Sequence, residues 1–262
     1  MKIKGFDTSH YYMKSSRGYY FLAINLIAHL AIIPAILYAE WWMWVLGILW
    51  GYWINCTCYT AGYHRYYCHK TFKAPRWYDY YFQFVSLFGN PGPVLIWNGI
   101  HKLHHKYSDT DYDPHGPTHR GFWNVWTIQL RGALYFLPPT KEDLKDWLKD
   151  TKDPIAKWFY DNYLLFVGII MIVLLLMGPW FFVFGFCVPI LLTHHASAVV
   201  NAYSHRTGNP SNVGGLLNFI VAGEGFHLNH HKDPSNYTTL LPDHKWWQID
   251  LTGLFIKMIR KT

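Results

Sequence analysis

The sequence predicts an all-α integral membrane protein, with four transmembrane helices in two hairpins and a cytoplasmic helical cap carrying a histidine-rich site. Three observations lead there. Long stretches carry no charge, the basic residues avoid two whole intervals of the chain, and many of the 16 histidines gather in short boxes outside the spans.

The first apolar stretch, 19–39, has about the 20 residues that a bilayer requires, and a second, 41–63, follows at once. Further on, LLFVGIIMIVLLLMGPWFFVFGFCVPILL runs from Leu164 to Leu192 without a charge, and Gly178 and Pro179 divide it into spans at 160–178 and 180–203. No Lys or Arg occurs between Gly18 and His64 or between Trp158 and His205; all 23 lie outside these intervals. If each interval is a hairpin, every basic segment falls on one side, which the positive-inside rule makes cytoplasmic, with both termini. Trp41, Trp42, Trp44 and Trp180 then sit near the far-side turns, where interfacial aromatics are expected. The first stretch reads as a signal anchor, because it is long and a second span follows directly. A net charge of +7, distributed in this way, fits anionic headgroups at a membrane surface and argues against nucleic acid.

Four spans use about 80 residues, leaving 64–159 and 204–262 as a cytoplasmic block within a single domain covering 1–262. Between Tyr78 and Ile96 an aromatic-rich segment, interrupted by GNPGP, lies on or dips into the membrane. Thr140 followed by Asp143 resembles a helix-start box. Leu144, Trp147 and Leu148 form an apolar stripe behind it, as in an interfacial helix. The tail LTGLFIKMIRKT either packs on the membrane surface or caps the block. Cys56, Cys58, Cys68 and Cys187 form no CxxC pair, so neither an iron–sulfur centre nor a zinc ribbon is supported, and they read as free thiols.

The boxes carry the chemistry. HLNHH places His227, His230 and His231 at i, i+3 and i+4, the spacing that brings side chains onto one helical face, and HKLHH repeats it with His101, His104 and His105. Each triplet is expected to converge on one point, and converging imidazoles most simply bind a metal, since imidazole suits zinc, copper, iron and nickel alike. His64 and His69 of HRYYCH are five apart, about 140° around a regular helix, so they share an ion only where the helix ends or distorts. His194, Asn201 and His205 stack along one stripe at i, i+7 and i+11. One such pattern could arise by chance; two HxxHH boxes hardly could.

These boxes resemble those of the membrane-bound fatty acyl desaturases, of the stearoyl type. HRYYCHKTFKAP, HKLHHKYSDTDYDPH and GEGFHLNHH match the family's three boxes in order, and NAYSH resembles the contribution of its last span. The resemblance implies two non-haem irons held by His64, His69, His101, His104, His105, His205, His227, His230 and His231, with Asn201 joining through a bound water. It leaves open which histidine serves which iron. The reaction implied consumes O2 and removes two hydrogens from adjacent methylenes of a long saturated acyl chain, at the delta-9 position, leaving a cis double bond and water. Electrons come from an external donor, such as ferredoxin or cytochrome b5, because the chain has no flavin fingerprint, haem domain or iron–sulfur cysteines. A basic cytoplasmic surface suits an acidic donor.

Metal-bound histidines donate their other ring N–H to carboxylates or carbonyls, and Asp109, Asp111, Asp113 and Glu224 are the candidates here. His115, completing DPH, reads as structural or as part of that supporting layer. His194 reads as hydrogen-bonded within its span; His10, His29, His119, His195 and His244 carry no assigned role. Ile48 and Tyr52 are candidates to close the acyl tunnel, three or four turns before the first box, and Trp97 to line it. Leu228 stands where the family often has asparagine, and Lys102 where arginine is common. Gly99 and Ile100 occupy positions where animal acyl-CoA enzymes carry Arg-Asp, which favours an acyl-lipid over an acyl-CoA substrate. Two rival readings remain. One is a hydroxylase or related oxygenase built on the same boxes; the other is a histidine-rich metal transporter or zinc-dependent receptor. Transporter sites usually lie near the bilayer midplane, whereas the dense boxes lie outside the spans.

Overall fold

The computed structural model describes residues 16–127 and 138–261, and among these all regular structure is helical. The amino-terminal stretch with His10 and the segment 128–137 of the expected cytoplasmic block lie outside the described residues.

Helix α1 runs over Ser16–Tyr38 and α2 over Trp41–Ile54, and α2 continues without a break into a looser, π-wound stretch, Asn55–Cys68. Helices α3 (Trp77–Ser86) and α4 (Val94–Tyr107) come next, then the short α5 (Pro117–Arg120) and α6 (Phe122–Trp126). Helix α7 is Lys141–Lys149 and α8 is Pro154–Met177. After Gly178 one path leads through α9 (Pro179–Phe182), a π turn (Val183–Cys187), α10 (Val188–Ala198) and a second π turn (Val199–Tyr203). Helices α11 (Gly215–Ile220), α12 (His227–Lys232) and α13 (Leu251–Ile259) complete the chain.

Three of these paths are long and apolar enough to cross a membrane: Tyr19–Tyr38, Pro154–Met177 and Pro179–Tyr203. The third predicted stretch begins earlier than the apolar run alone suggested. Pro154 opens the helix with φ already set, and the Asp153 carboxylate accepts from the Ile155 and Ala156 amides at 3.0 and 3.2 Å, a cap of about 1 kcal/mol. The predicted second stretch, 41–63, is divided in character: Trp41–Ile54 is apolar, while the π-wound part buries Asn55, Thr57 and Thr60. Along α2 the buried stripe is Gly47, Gly51 and Ile54. A β-carbon on Gly51 would stand 3.0 Å from Pro189 Cα, so the missing side chain allows α2 and α10 to touch.

Phe21 of α1 stacks on Tyr163 of α8 at 5.7 Å, and Phe182, Phe186 and Ile190 complete the apolar cluster around that contact. A second cluster lies along the π-wound stretch, where Tyr63, Tyr78 and Phe82 are fully buried. The aromatic-rich segment near Tyr78–Ile96 is thus a packing partner of the π stretch. Its α3 carries Tyr78, whose hydroxyl donates to the Thr57 carbonyl at 2.6 Å. The Thr140 hydroxyl accepts from the Asp143 amide at 3.1 Å, capping α7 as the helix-start box anticipated.

Candidate metal centre

The nine box histidines gather into two clusters. His64, His69, His101, His105 and His230 form one, and His104, His205, His227 and His231 the other; within each, the donor atoms lie within 4.8 Å of one another. The two HxxHH helices contribute reciprocally. From α4, His101 and His105 face the first cluster and His104 the second, while from α12 His227 and His231 face the second and His230 the first. The expectation that each triplet meets at one point is therefore corrected: residues at i and i+4 stay about 40° apart on a helix, whereas i+3 and i+4 diverge by about 100°. The i, i+4 pair serves one centre and the remaining histidine the other.

The spacing of five in the first box is resolved by the backbone. The π-wound stretch ends with the His69 amide donating to the His64 carbonyl at 3.0 Å, an i to i+5 bond that stacks the two residues. Their ring centroids lie 4.9 Å apart. The same winding turns Asn55, Tyr59, Thr60 and His64 toward one cavity.

The Nε2 atoms point inward throughout. In the first cluster His64–His230, His69–His101, His101–His105 and His105–His230 are separated by 3.0, 2.9, 3.0 and 3.0 Å. In the second, His205–His227, His227–His231 and His104–His231 are 2.9, 3.1 and 3.3 Å apart. Metal–nitrogen bonds of about 2.1 Å at right angles would set neighbouring donors about 3.0 Å apart, so these polyhedron edges fit an ion in each cluster.

The outer nitrogens reinforce the fit. His104 Nδ1 donates to both Asp113 oxygens at 3.0 Å, His205 Nδ1 to Asp109 Oδ2 at 2.7 Å, and His64 Nδ1 faces Glu224 Oε1 at 3.2 Å. With the proton on Nδ1, each Nε2 presents a bare lone pair. Lone pairs packed at 3 Å repel unless a cation lies among them.

Burial, followed by the neighbouring imidazoles, pushes His101, His104, His227 and His230 well below the ordinary imidazole value. His69 falls to about 2 and His231 to about 3 for the same leading cause. These rings stay neutral, the state that ligates. Burial works against charge on Glu224 as well, but His64 and Arg65 facing it overcome this and hold its carboxyl at about 2.

The candidate carboxylates divide. Asp113 is fully buried and also accepts from the Asp109 and His115 amides at 2.8 and 2.9 Å. Asp111 points away; its side chain is 86% exposed and pairs with His119 at 2.7 Å. His115 is buried, with its ring 4.1 Å from that of His104. Asn201 and Trp97 line the cavity that His64, His101 and His227 also face. Trp97 stacks on His101 at 4.6 Å and donates from Nε1 to the Tyr59 hydroxyl at 2.6 Å.

Ile48 and Tyr52 are not brought to this cavity. Ile48 is exposed, because the buried stripe of α2 follows Gly47 and Gly51. The Tyr52 hydroxyl instead donates to the Phe219 carbonyl at 2.7 Å while the rings stack at 5.3 Å. Asn55 and Tyr59, nearer the first box, form that wall.

The motifs did not single out Arg65 or Asp250. Arg65 is 1% exposed; its Nε and Nη2 donate to Glu224 Oε1 at 3.0 and 2.8 Å, and its Nη1 to Asp250 Oδ2 at 2.6 Å and to the Tyr237 carbonyl at 2.9 Å. Gly223, at φ +95°, lies where a β-carbon would come within 2.3 Å of Asp250 Oδ1. The GEG stretch thereby holds Glu224 between His64 and Arg65. Asn212 was missed as well: its Oδ1 accepts from the Leu228 and Asn229 amides at 3.0 and 3.3 Å, steadying the start of α12. Behind α4, a β-carbon on Gly99 would stand 2.1 Å from the Trp147 indole, so the ring of α7 fills the space at that position.

Known proteins carry the same signature. A family model described as fatty acid desaturase matches residues 39–251. A protein of Synechocystis sp. named sn-1 stearoyl-lipid 9-desaturase is 31% identical over 250 residues, covering 92% of this chain and 76% of its own. One of the same name from Anabaena variabilis is 31% identical over 252 residues, covering 92% and 88%. A protein of Anemone leveillei named acyl-CoA C20 Delta5-desaturase is 32% identical over 210 residues, covering 76% and 65%. Since the family match takes in most of the chain, including all three histidine boxes, and two relatives extend the likeness beyond it, the chain belongs to the fatty acid desaturase family.

Proposed function

We propose that the chain is a membrane-embedded acyl-lipid desaturase that introduces a cis double bond at the delta-9 position of a long saturated chain, at two non-haem irons held by the nine histidines. As a fatty acid desaturase it is an oxidoreductase. The observation that carries the metal reading is the pair of clusters with Nε2 atoms converging at about 3 Å. Bound iron would supply the activation of O2, an oxidation beyond the reach of the side chains alone. In balance, O2 takes two hydrogens from the substrate and two electrons and two protons from outside, giving the alkene and two waters.

The protein's own part is positioning. Adjacent methylenes are chemically alike, so only a fixed register of the acyl chain selects one pair. The cavity beside His64, His101 and His227 is walled by Tyr59, Trp97, Ala196 and Val200, a largely apolar slot open to both clusters. Tyr59 accepts from Trp97 Nε1 at 2.6 Å and from the Ser197 hydroxyl at 3.0 Å, which keeps that wall rigid. Asp109, Asp113 and Glu224 orient the rings from behind, and Asn201 reaches the centre through a bound water.

An acyl-lipid substrate is favoured over acyl-CoA by the Trp147 indole packed on Gly99, which leaves no room for a long cationic side chain there. Two relatives named stearoyl-lipid desaturases support the same choice. In this reading α2 and its π-wound continuation form the second of four spans, both termini and the metal centre are cytoplasmic, and a ferredoxin or cytochrome b5 delivers electrons.

The test is expression in a host with a compatible donor, with mass spectrometry of its lipids. A product two hydrogens lighter, unsaturated at carbon 9 and absent with His230→Ala, is the expected outcome. A product heavier by one oxygen would instead support the hydroxylase reading. Exchangeable zinc with no lipid product would favour the transporter or receptor.

A further inference from the structure

Outside the nine-histidine centre, the fold brings together three more imidazoles from distant parts of the sequence. His29 of α1 meets His194 and His195 of α10, with potential donor atoms within 4.8 Å of one another. The ring centroids are 5.6, 5.6 and 4.8 Å apart, and each pair is steeply inclined, at 84°, 75° and 77°. We propose that these three histidines form a separate site for a divalent cation of the zinc class, which clips α1 to α10.

The ring spacing accommodates an ion. For bonds of about 2.05 Å directed along each ring, tetrahedral angles would place imidazole centroids about 5.2 Å apart, and right angles about 4.5 Å. The two trio distances that involve His29, at 5.6 Å, lie nearer the tetrahedral value, and His194–His195, at 4.8 Å, falls between the two; close neighbours in the main clusters run from 4.3 Å for His64–His230 to 5.1 Å for His104–His231. Tetrahedral zinc sets its donors about 3.4 Å apart, so ring rotations moving the nitrogens by about an ångström complete the site.

The ring nitrogens have partners that fit ligation. His29 Nδ1 donates to the Asn25 carbonyl at 2.7 Å, leaving Nε2 with a free lone pair. His194 is 2% exposed and its Nδ1 has no hydrogen-bond partner, so the hydrogen bond anticipated within the span is missing. An imidazole nitrogen buried without a partner is destabilising, which a bound cation would offset. His195 joins through Nε2 once its proton has passed to Nδ1, ending the 3.3 Å bond from Trp126 Nε1. Among the described residues no hydrogen bond joins the three rings to one another. Three imidazoles with a fourth position open, on the side where His195 is exposed, match a zinc ion that keeps one exchangeable ligand.

Full-length protein in detergent, loaded with iron, incubated with Zn2+ and desalted, should retain about one zinc per chain in addition to its iron, with an X-ray absorption edge reporting imidazole donors. His29→Ala, His194→Ala and His195→Ala should each lose that zinc while keeping iron and desaturase activity. His195 is exposed, so its variant guards against a folding defect, and His244→Ala should retain the zinc. Wild-type protein without zinc, zinc retained in all three variants, or zinc gained only with an equal loss of iron would each overturn the site. Because zinc and iron are counted separately, failure of the iron reading would not be mistaken for failure of this one.

Discussion

At the residue scale the centre depends on groups that touch no substrate. Asp113, fully buried behind His104, and Asp109, behind His205, hold protons on Nδ1 and so keep Nε2 available. Replacing either by Asn keeps the size but lets the amide donate instead, and ring orientation is lost. Metal retention under chelator challenge should then fall about 10- to 100-fold. Arg65 works one step further out, neutralising Glu224 and Asp250 together. Arg65→Met would leave two buried carboxylates without their cation, and unfolding in detergent should show a loss of about 3–5 kcal/mol. Asp109, Asp113 and Glu224 could be picked from the sequence because they sit within or beside the boxes. Arg65 and Asp250 could not be joined on paper, since no periodicity links positions so far apart; the single hint was a cation next to His64 at the end of an apolar run. Asp111 shows the converse, a carboxylate in the right motif that the turn at Asp109, with φ +58°, directs to solvent.

At the scale of elements, the long apolar helices were legible because bilayer length and absence of charge are properties of the chain itself. The π winding of Asn55–Cys68 was only half legible. The five-residue interval between His64 and His69 demanded a distortion, but composition alone does not say that fourteen residues share it. The tunnel candidates Ile48 and Tyr52 were counted along a regular helix, while the cavity is faced by Asn55 and Tyr59, which obey the looser winding. The Gly99–Trp147 contact was equally hidden, as it joins α4 to α7, far apart in sequence. A methyl group there meets the indole at 2.1 Å, so Gly99→Ala should cost about 1–3 kcal/mol through overpacking. Thermal unfolding of the purified variant measures it, and in a Trp147→Ala background the same substitution should cost much less.

At the scale of the whole molecule, the two clusters sit where segments far apart in sequence meet: the end of the π stretch, α4, the end of the last long path, and α12. The sequence announced this convergence through repeated boxes, although not the reciprocal sharing of α4 and α12, which requires both helices to be seen together. The tail posed a choice between packing on the membrane and capping the block, and α13 packs on the helical path of α2 through Phe255 and Ile256. Phe255 packs within 6.1 Å of Trp53, and Phe219 stacks on Tyr52, so α13 and α11 lie along the helical path of α2. Leu216, Leu254 and Met258 are nevertheless exposed, as expected of an in-plane element resting in lipid. Nitroxide labels at Leu254 and Met258 in proteoliposomes should collide more with dissolved oxygen than with a water-soluble nickel chelate, and the reverse ranking would remove α13 from the bilayer.

The i to i+5 bond between His69 and His64 sets a rule for how this chain can vary over generations. Each turn of the stretch preceding it accommodates a residue that a tighter coil would have no room for, so removing one letter would rewind the backbone beyond the gap and swing the first box off its cage. Letters there can be exchanged, but their number is held by geometry, and length polymorphism has to be absorbed in the loops.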